Sequence, residues 1–115
     1  MLKRRHRTAA GAAASASIFA ALGDETRLKL IARLSDAGPQ SIAALAGGFD
    51  MSRQAITKHL RVIGAAGLAK SEQRGREIVW QLEQRGLADA QRYLNVISKD
   101  WDVKLRRLKD LVESE

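Results

Sequence analysis

Apolar residues along this 115-residue chain recur at spacings that change from one segment to the next. Leu28, Ile31 and Leu34, flanked by Leu30 and Ala32, follow the three- and four-residue steps of a helix with one buried face. Asp24 stands where such a helix needs an N-cap and Gly38 with Pro39 ends it, so about three helical turns are predicted. A shorter helix is expected before it, from near Ser15 to Leu22. Ser41 is placed to cap a short helix carrying Ile42, Leu45 and Ala46, closed by Gly47 and Gly48. Ser52 caps the next, in which Ile56, Leu60 and Ile63 form an i, i+4, i+7 stripe. Arg53, Gln54, Thr57, Lys58 and Arg61 gather on the opposite face, and Gly67 ends the helix.

The period then changes. Leu68 to Glu72 and Glu77 to Leu82 read as two short strands around the turn Gln73, Arg74, Gly75, Arg76, where a glycine permits tight hairpin geometry. A long helix follows from Leu87 to about Val112. Leu87, Leu94, Trp101 and Leu108 recur every seventh residue, with Ala90, Ile97, Leu105, Leu111 and Val112 beside them and Lys104 interrupting the second row. A domain this small cannot cover so long a stripe by itself, so a second copy of the chain is the expected cover, with folding back onto the chain's own core as the alternative. The residues expected to hold two copies together are Leu87, Leu94, Ile97, Trp101, Leu105 and Leu108.

Composition narrows the fold to one domain that is mainly α with a small β-hairpin. The apolar share is 45% but aromatics are only 4%, so the core must come from Leu, Ile, Val and Ala, which suits helix packing. Residues 1–14 lack a periodic face and read as a disordered basic arm; residues 15–115 read as the folded domain. Charge is unevenly spread within a net +7: Lys3, Arg4, Arg5 and Arg7 crowd the start, and 51–80 holds most of the remaining surplus. Basic start and Ala-rich run together resemble a secretory leader, but the run has only Ile18 and Phe19 as strongly apolar residues and continues into the fold. A cytoplasmic protein without a membrane span is expected.

Two helices joined by a Gly-containing turn, then a hairpin with a basic tip, follow the order of a winged helix-turn-helix. A helix fits the major groove of B-DNA, where Arg pairs with guanine and Gln with adenine, so Arg53, Gln54 and Thr57 suit base edges. Lys58 and Arg61 suit bases or phosphates, and Arg74 and Arg76 on the hairpin suit the backbone or a neighbouring minor groove. A winged helix that binds a protein partner through the hairpin or Trp80 is the alternative. No cysteine occurs, which removes disulfides, thiolate metal ligands and thiol redox switches. Paired carboxylates, a Ser-His-Asp set and a phosphate-cradling Gly loop are missing too, so neither an enzyme nor a cofactor is expected.

Three phrases carry a resemblance: LGDETRLKLIARL from Leu22 to Leu34, SIAALAGGFDMSRQAITKHLRVIGAAGLAK from Ser41 to Lys70, and RGREIVWQL from Arg74 to Leu82. Between about Ile18 and Leu82 the chain resembles the ArsR/SmtB family of bacterial repressors, through its Asp-x-Thr-Arg opening, its Ser-x-x-x-Ile-x-x-His-Leu helix and its Ala-Gly-Leu exit. The resemblance implies a homodimer held by terminal helices, recognition helices in successive major grooves of an imperfect palindrome, and repression by promoter occlusion. It places His59 in the His-Leu pair of the recognition helix, packing or touching a phosphate, and adds Ser52 and His59 to the expected DNA-binding set. Metal-sensing relatives place cysteines in the third helix or Asp and His ligands in the last. Here the third helix reads Ser41, Ile42, Ala43, Ala44, Leu45, Ala46, and no histidine follows His59. A cysteine-free, non-metal-sensing branch with an unknown effector is expected.

Overall fold

The computed structural model describes residue 13 and residues 15–113, so Lys3, Arg4, Arg5 and Arg7 of the basic arm lie outside the described residues. Helix α1 covers 15–22. Helix α2 (Glu25–Ala37) opens as its caps dictate: the Asp24 carboxylate accepts the Arg27 backbone N–H at 3.0 Å. At its other end Gly38 N–H donates to the Leu34 carbonyl. Strand β1 (Gln40–Ser41) leads into α3 (Ile42–Ala46), where the Ser41 hydroxyl accepts from Ala44 N–H. Helix α4 (Arg53–Ala65), the hairpin β2 (Ala69–Arg74) and β3 (Glu77–Leu82), and α5 (Gln84–Glu113) complete the chain.

The fold is a winged helix-turn-helix, mainly α, with a three-stranded antiparallel sheet in the order β1-β3-β2. β1 sets Gln40 opposite Trp80 and Ser41 opposite Val79, which fastens the start of α3 to the wing. The core lies where α2, α3, α4 and the sheet converge. Leu30, Leu45, Ile56, Leu60, Ile63 and Leu68 are fully buried there, each side chain contributing about 2 kcal/mol of apolar transfer. Ile18 and Ala21 of α1 and Ala90 of α5 join the same cluster.

Four features differ from the expectations. Leu28 is half-exposed, and α2 buries Leu30 and Leu34 instead. The arc of α2 turned to the core is the one that carries Leu30 and Leu34, and Leu28 falls outside it. β2 begins at Ala69 and runs on to Arg74, so the hairpin loop is only Gly75 and Arg76. Gly75 has φ 62° and Arg76 does not have positive φ, the pattern of a II′ turn with glycine first. β1 was not anticipated, since two residues show no period. Finally, α5 starts at Gln84 and passes through Gly86, a residue that sequence reasoning would leave outside a helix. A Cβ on Gly86 would stand 2.2 Å from the Gly67 carbonyl oxygen, so only glycine lets α5 lie this close to the turn after α4.

Candidate nucleic-acid interface

Helix α4 owes its orientation to its apolar side. Ile56, Leu60 and Ile63 are fully buried, and this turns the opposite arc outward. Ser52 starts the helix by accepting the Ala55 N–H at 3.1 Å, which brings Arg53 and Gln54 to its exposed first turn. Arg53, Gln54, Lys58 and Arg61 are all exposed. Thr57 is half-buried, and its hydroxyl donates to the Arg53 carbonyl at 2.8 Å, leaving its methyl and an oxygen lone pair for a partner. Among the described residues no carboxylate lies within ion-pair distance of Arg53, Lys58 or Arg61, so their charge is uncompensated by the fold.

The wing approaches the same surface. An open cleft of about 270 Å³ is lined by Arg53 at the start of α4, by Ser41, Ile42 and Ala43 at the start of α3, and by Arg76, Glu77 and Ile78 of the wing. Arg53 and Arg76, 23 positions apart in sequence, therefore border one concave surface. Arg74 closes β2, where its guanidinium lies 3.3 Å from Glu72, so part of its charge is offset locally. Ser41 and Ala43 were missed as cleft residues; Ser41 was legible only as a cap.

His59 does not share the outward arc. One residue turns a helix by about 100°, which carries His59 away from Lys58 toward the start of α2. There its Nδ1 lies 3.4 Å from an Arg27 guanidinium nitrogen and 3.8 Å from Asp24 Oδ2, with 21% of the side chain exposed. The Asp24 carboxyl is held below its ordinary 3.8, chiefly because it accepts the Arg27 N–H, with partial desolvation opposing this and the Arg27 charge adding to it.

A helix-turn-helix domain model matches residues 22–72, from the end of α1 into β2. The HTH-type transcriptional regulator Rv2034 of Mycobacterium tuberculosis is 34% identical over 95 residues, covering 83% of this chain and 85% of that protein. A solved structure, the ArsR-like transcriptional regulator from Rhodococcus sp. RHA1, shares 40% identity with a TM-score of 0.77, covering 86% of this chain and 92% of its own. The chain belongs to the ArsR family of transcriptional regulators. Another relative of this ArsR-family regulator is the arsenical resistance operon repressor of Escherichia coli, 26% identical over 97 residues, 84% of this chain and 80% of that one.

The chain holds no cysteine, and among the described residues no group of three or more His, Cys, Asp or Glu is placed to bind a metal ion. Among the described residues no helix is long and apolar enough to cross a membrane.

The expected self-association residues divide in two. Leu87 is half-buried against the domain's own cluster, next to buried Gly86 and Ala90. Leu94, Ile97, Trp101, Leu105 and Leu108 are exposed, with Leu94 at 52%, Trp101 at 59% and Leu108 at 59%. Lys104 lies over the Trp101 ring, its ammonium 5.6 Å from the centroid.

Proposed function

We propose that this regulator is a homodimeric repressor that seats α4 of each protomer in a major groove of an imperfectly palindromic operator and blocks the promoter. The observation that carries the proposal is the meeting of Arg53 and Arg76 at one open cleft, beside Lys58 and Arg61, which among the described residues have no carboxylate within ion-pair distance. A DNA backbone supplies the missing negative charge, and the concave shape between helix and wing suits a duplex edge. In this scheme Arg53, Gln54 and Thr57 read base edges, while Lys58, Arg61, Arg74 and Arg76 hold phosphates, and Ser52 presents the first turn. Residues 15–115 act as one domain, and the arm of residues 1–14 adds nonspecific affinity.

Dimerisation is supported by the exposed row from Leu94 to Leu108, which stands clear of the domain's own core. Repression is supported by the name of the Escherichia coli relative, an operon repressor. Release from DNA does not use thiols, since the chain has none. Action on DNA makes the cytoplasm its place of work, and no catalytic step is involved.

Capture of genomic fragments by the purified protein identifies the operator. On that duplex, Arg53→Ala with Lys58→Ala lowers affinity at least tenfold and reduces the dependence of log affinity on log salt by about one to two. Unchanged affinity and slope in the folded double variant would remove α4 as the DNA-reading surface, and failure to capture any duplex would favour a protein-binding module.

A further inference from the structure

Arg27 sits at a three-way junction. Its Nε donates to the Ala21 carbonyl at 2.7 Å and its Nη2 to the Ala20 carbonyl at 3.2 Å, so it closes the C-terminal end of α1, where helix carbonyls lack internal partners. Its backbone N–H donates to Asp24 Oδ2 at 3.0 Å, fixing the start of α2. Its Nη1 lies 3.4 Å from Nδ1 of His59 on α4. A guanidinium only donates, so in this contact the imidazole Nδ1 is the acceptor. Asp24 Oδ2 lies 3.8 Å from the same Nδ1 and acts on the junction by holding the Arg27 backbone N–H, since a ring nitrogen that accepts from Arg27 has no proton to give it.

The buried leucine and isoleucines of α4 set which arc faces outward, but apolar contacts are non-directional and leave the finer roll of the helix to directional ones. A hydrogen bond from the flank of the helix supplies the missing direction. We infer that His59 is a positioning residue for DNA recognition: through Arg27 and Asp24 it sets the roll of α4 against the α1–α2 junction, and thereby the aim of Arg53, Gln54, Lys58 and Arg61. α1 is itself tied to α5 by the tilted ring pair Phe19 and Tyr93, with centroids 6.1 Å apart. The orientation of the recognition helix is therefore referred, through α1, to the helix that carries the exposed apolar row. The inference rests on the DNA-binding reading for its consequence, though the junction itself does not.

Two measurements test it. In the first, binding of the captured operator duplex is followed across salt concentration, alongside thermal unfolding to show that each variant folds. His59→Ala weakens binding about tenfold with an unchanged salt slope, because loss of one charge-assisted hydrogen bond misaims the helix without removing a phosphate contact. His59→Asn, whose amide takes the place of Nδ1, restores most of the affinity. Arg27→Ala weakens binding similarly, and the double variant is no worse than either single one, as expected of one shared network. A slope reduced by about one in His59→Ala would make the residue a direct phosphate ligand and overturn the inference. Additive losses, or affinity unchanged in His59→Ala, would also overturn it. The second measurement needs no DNA: amide hydrogen exchange in Arg27→Ala speeds up both at the end of α1 and in α4 around His59. Unaltered exchange in α4 would end the proposal even if the wild-type protein bound no operator, an outcome that instead defeats the DNA reading.

Discussion

Helices α4 and α5 are both amphipathic, yet they end in opposite situations. In α4 the apolar stripe is fully closed by α2, α3 and the sheet, so its polar side is the one left to meet a partner. In α5 only Gly86 and Ala90 are buried, and from Leu94 onward the apolar side faces outward. At about 45 Å, α5 is longer than the core it leans on, and its first turns alone find cover. The same kind of pattern thus yields a charged surface suited to a polyanion in one helix and an apolar seam suited to a second copy in the other. Exposure of each stripe depends on what the rest of the chain can reach, not on the stripe.

That contrast can be broken at four points. Leu60→Ala opens a cavity under α4 and costs about 3 kcal/mol, a fall in unfolding temperature on the order of 15 °C that calorimetry detects. On α5, Leu94→Asp with Trp101→Asp should instead leave the protomer folded and abolish association, seen as a monomer in sedimentation. Operator affinity then falls about a hundredfold, since the two half-sites are no longer bound together. A double variant that stays dimeric would assign the seam to another surface.

Smaller effects sharpen the picture at the join between the two helices. Gly86→Ala forces a methyl toward the Gly67 carbonyl and costs about 1–3 kcal/mol in urea unfolding, despite alanine's better helix propensity. A stabilised variant would mean that α5 does not hold this close approach. Asp24→Asn has the least effect, because asparagine still caps α2. The wild-type carboxyl has a folded value below its ordinary 3.8, so it adds stability above that value and loses it as pH falls through the depressed one. Urea midpoints compared at neutral pH and at about pH 3 should therefore drop more steeply in the wild type than in Asp24→Asn. Parallel drops would show that the Arg27 N–H and the neighbouring charges do not favour the ionised form.

Local signals were read well. The caps Asp24, Ser41 and Ser52 work within three residues of themselves, and each accepts the backbone N–H its position requires. The row Ile56, Leu60, Ile63 needs only two turns to declare its face. Leu28 was misjudged because a helical period permits several arcs, and the neighbouring elements select one. His59 was the least legible residue. It lies on the flank of α4 between the buried and outward arcs, and its partners are 32 and 35 positions away, at a junction whose closeness no local pattern records. Strand β1 was invisible for a related reason: two residues become a strand only when β3 is beside them.

From residues alone came the helices and their caps, the hairpin, the concentration of cations in one segment and the lack of thiol chemistry. Those features depend on interactions within a turn or two, or on composition. The tertiary structure decided that Arg53 and Arg76 share a cleft, that His59 turns inward to Arg27, and that the apolar row of α5 stays uncovered past Ala90. Each of these depends on distances between segments far apart in the chain, which are set by how the whole core packs and not by any one segment's period.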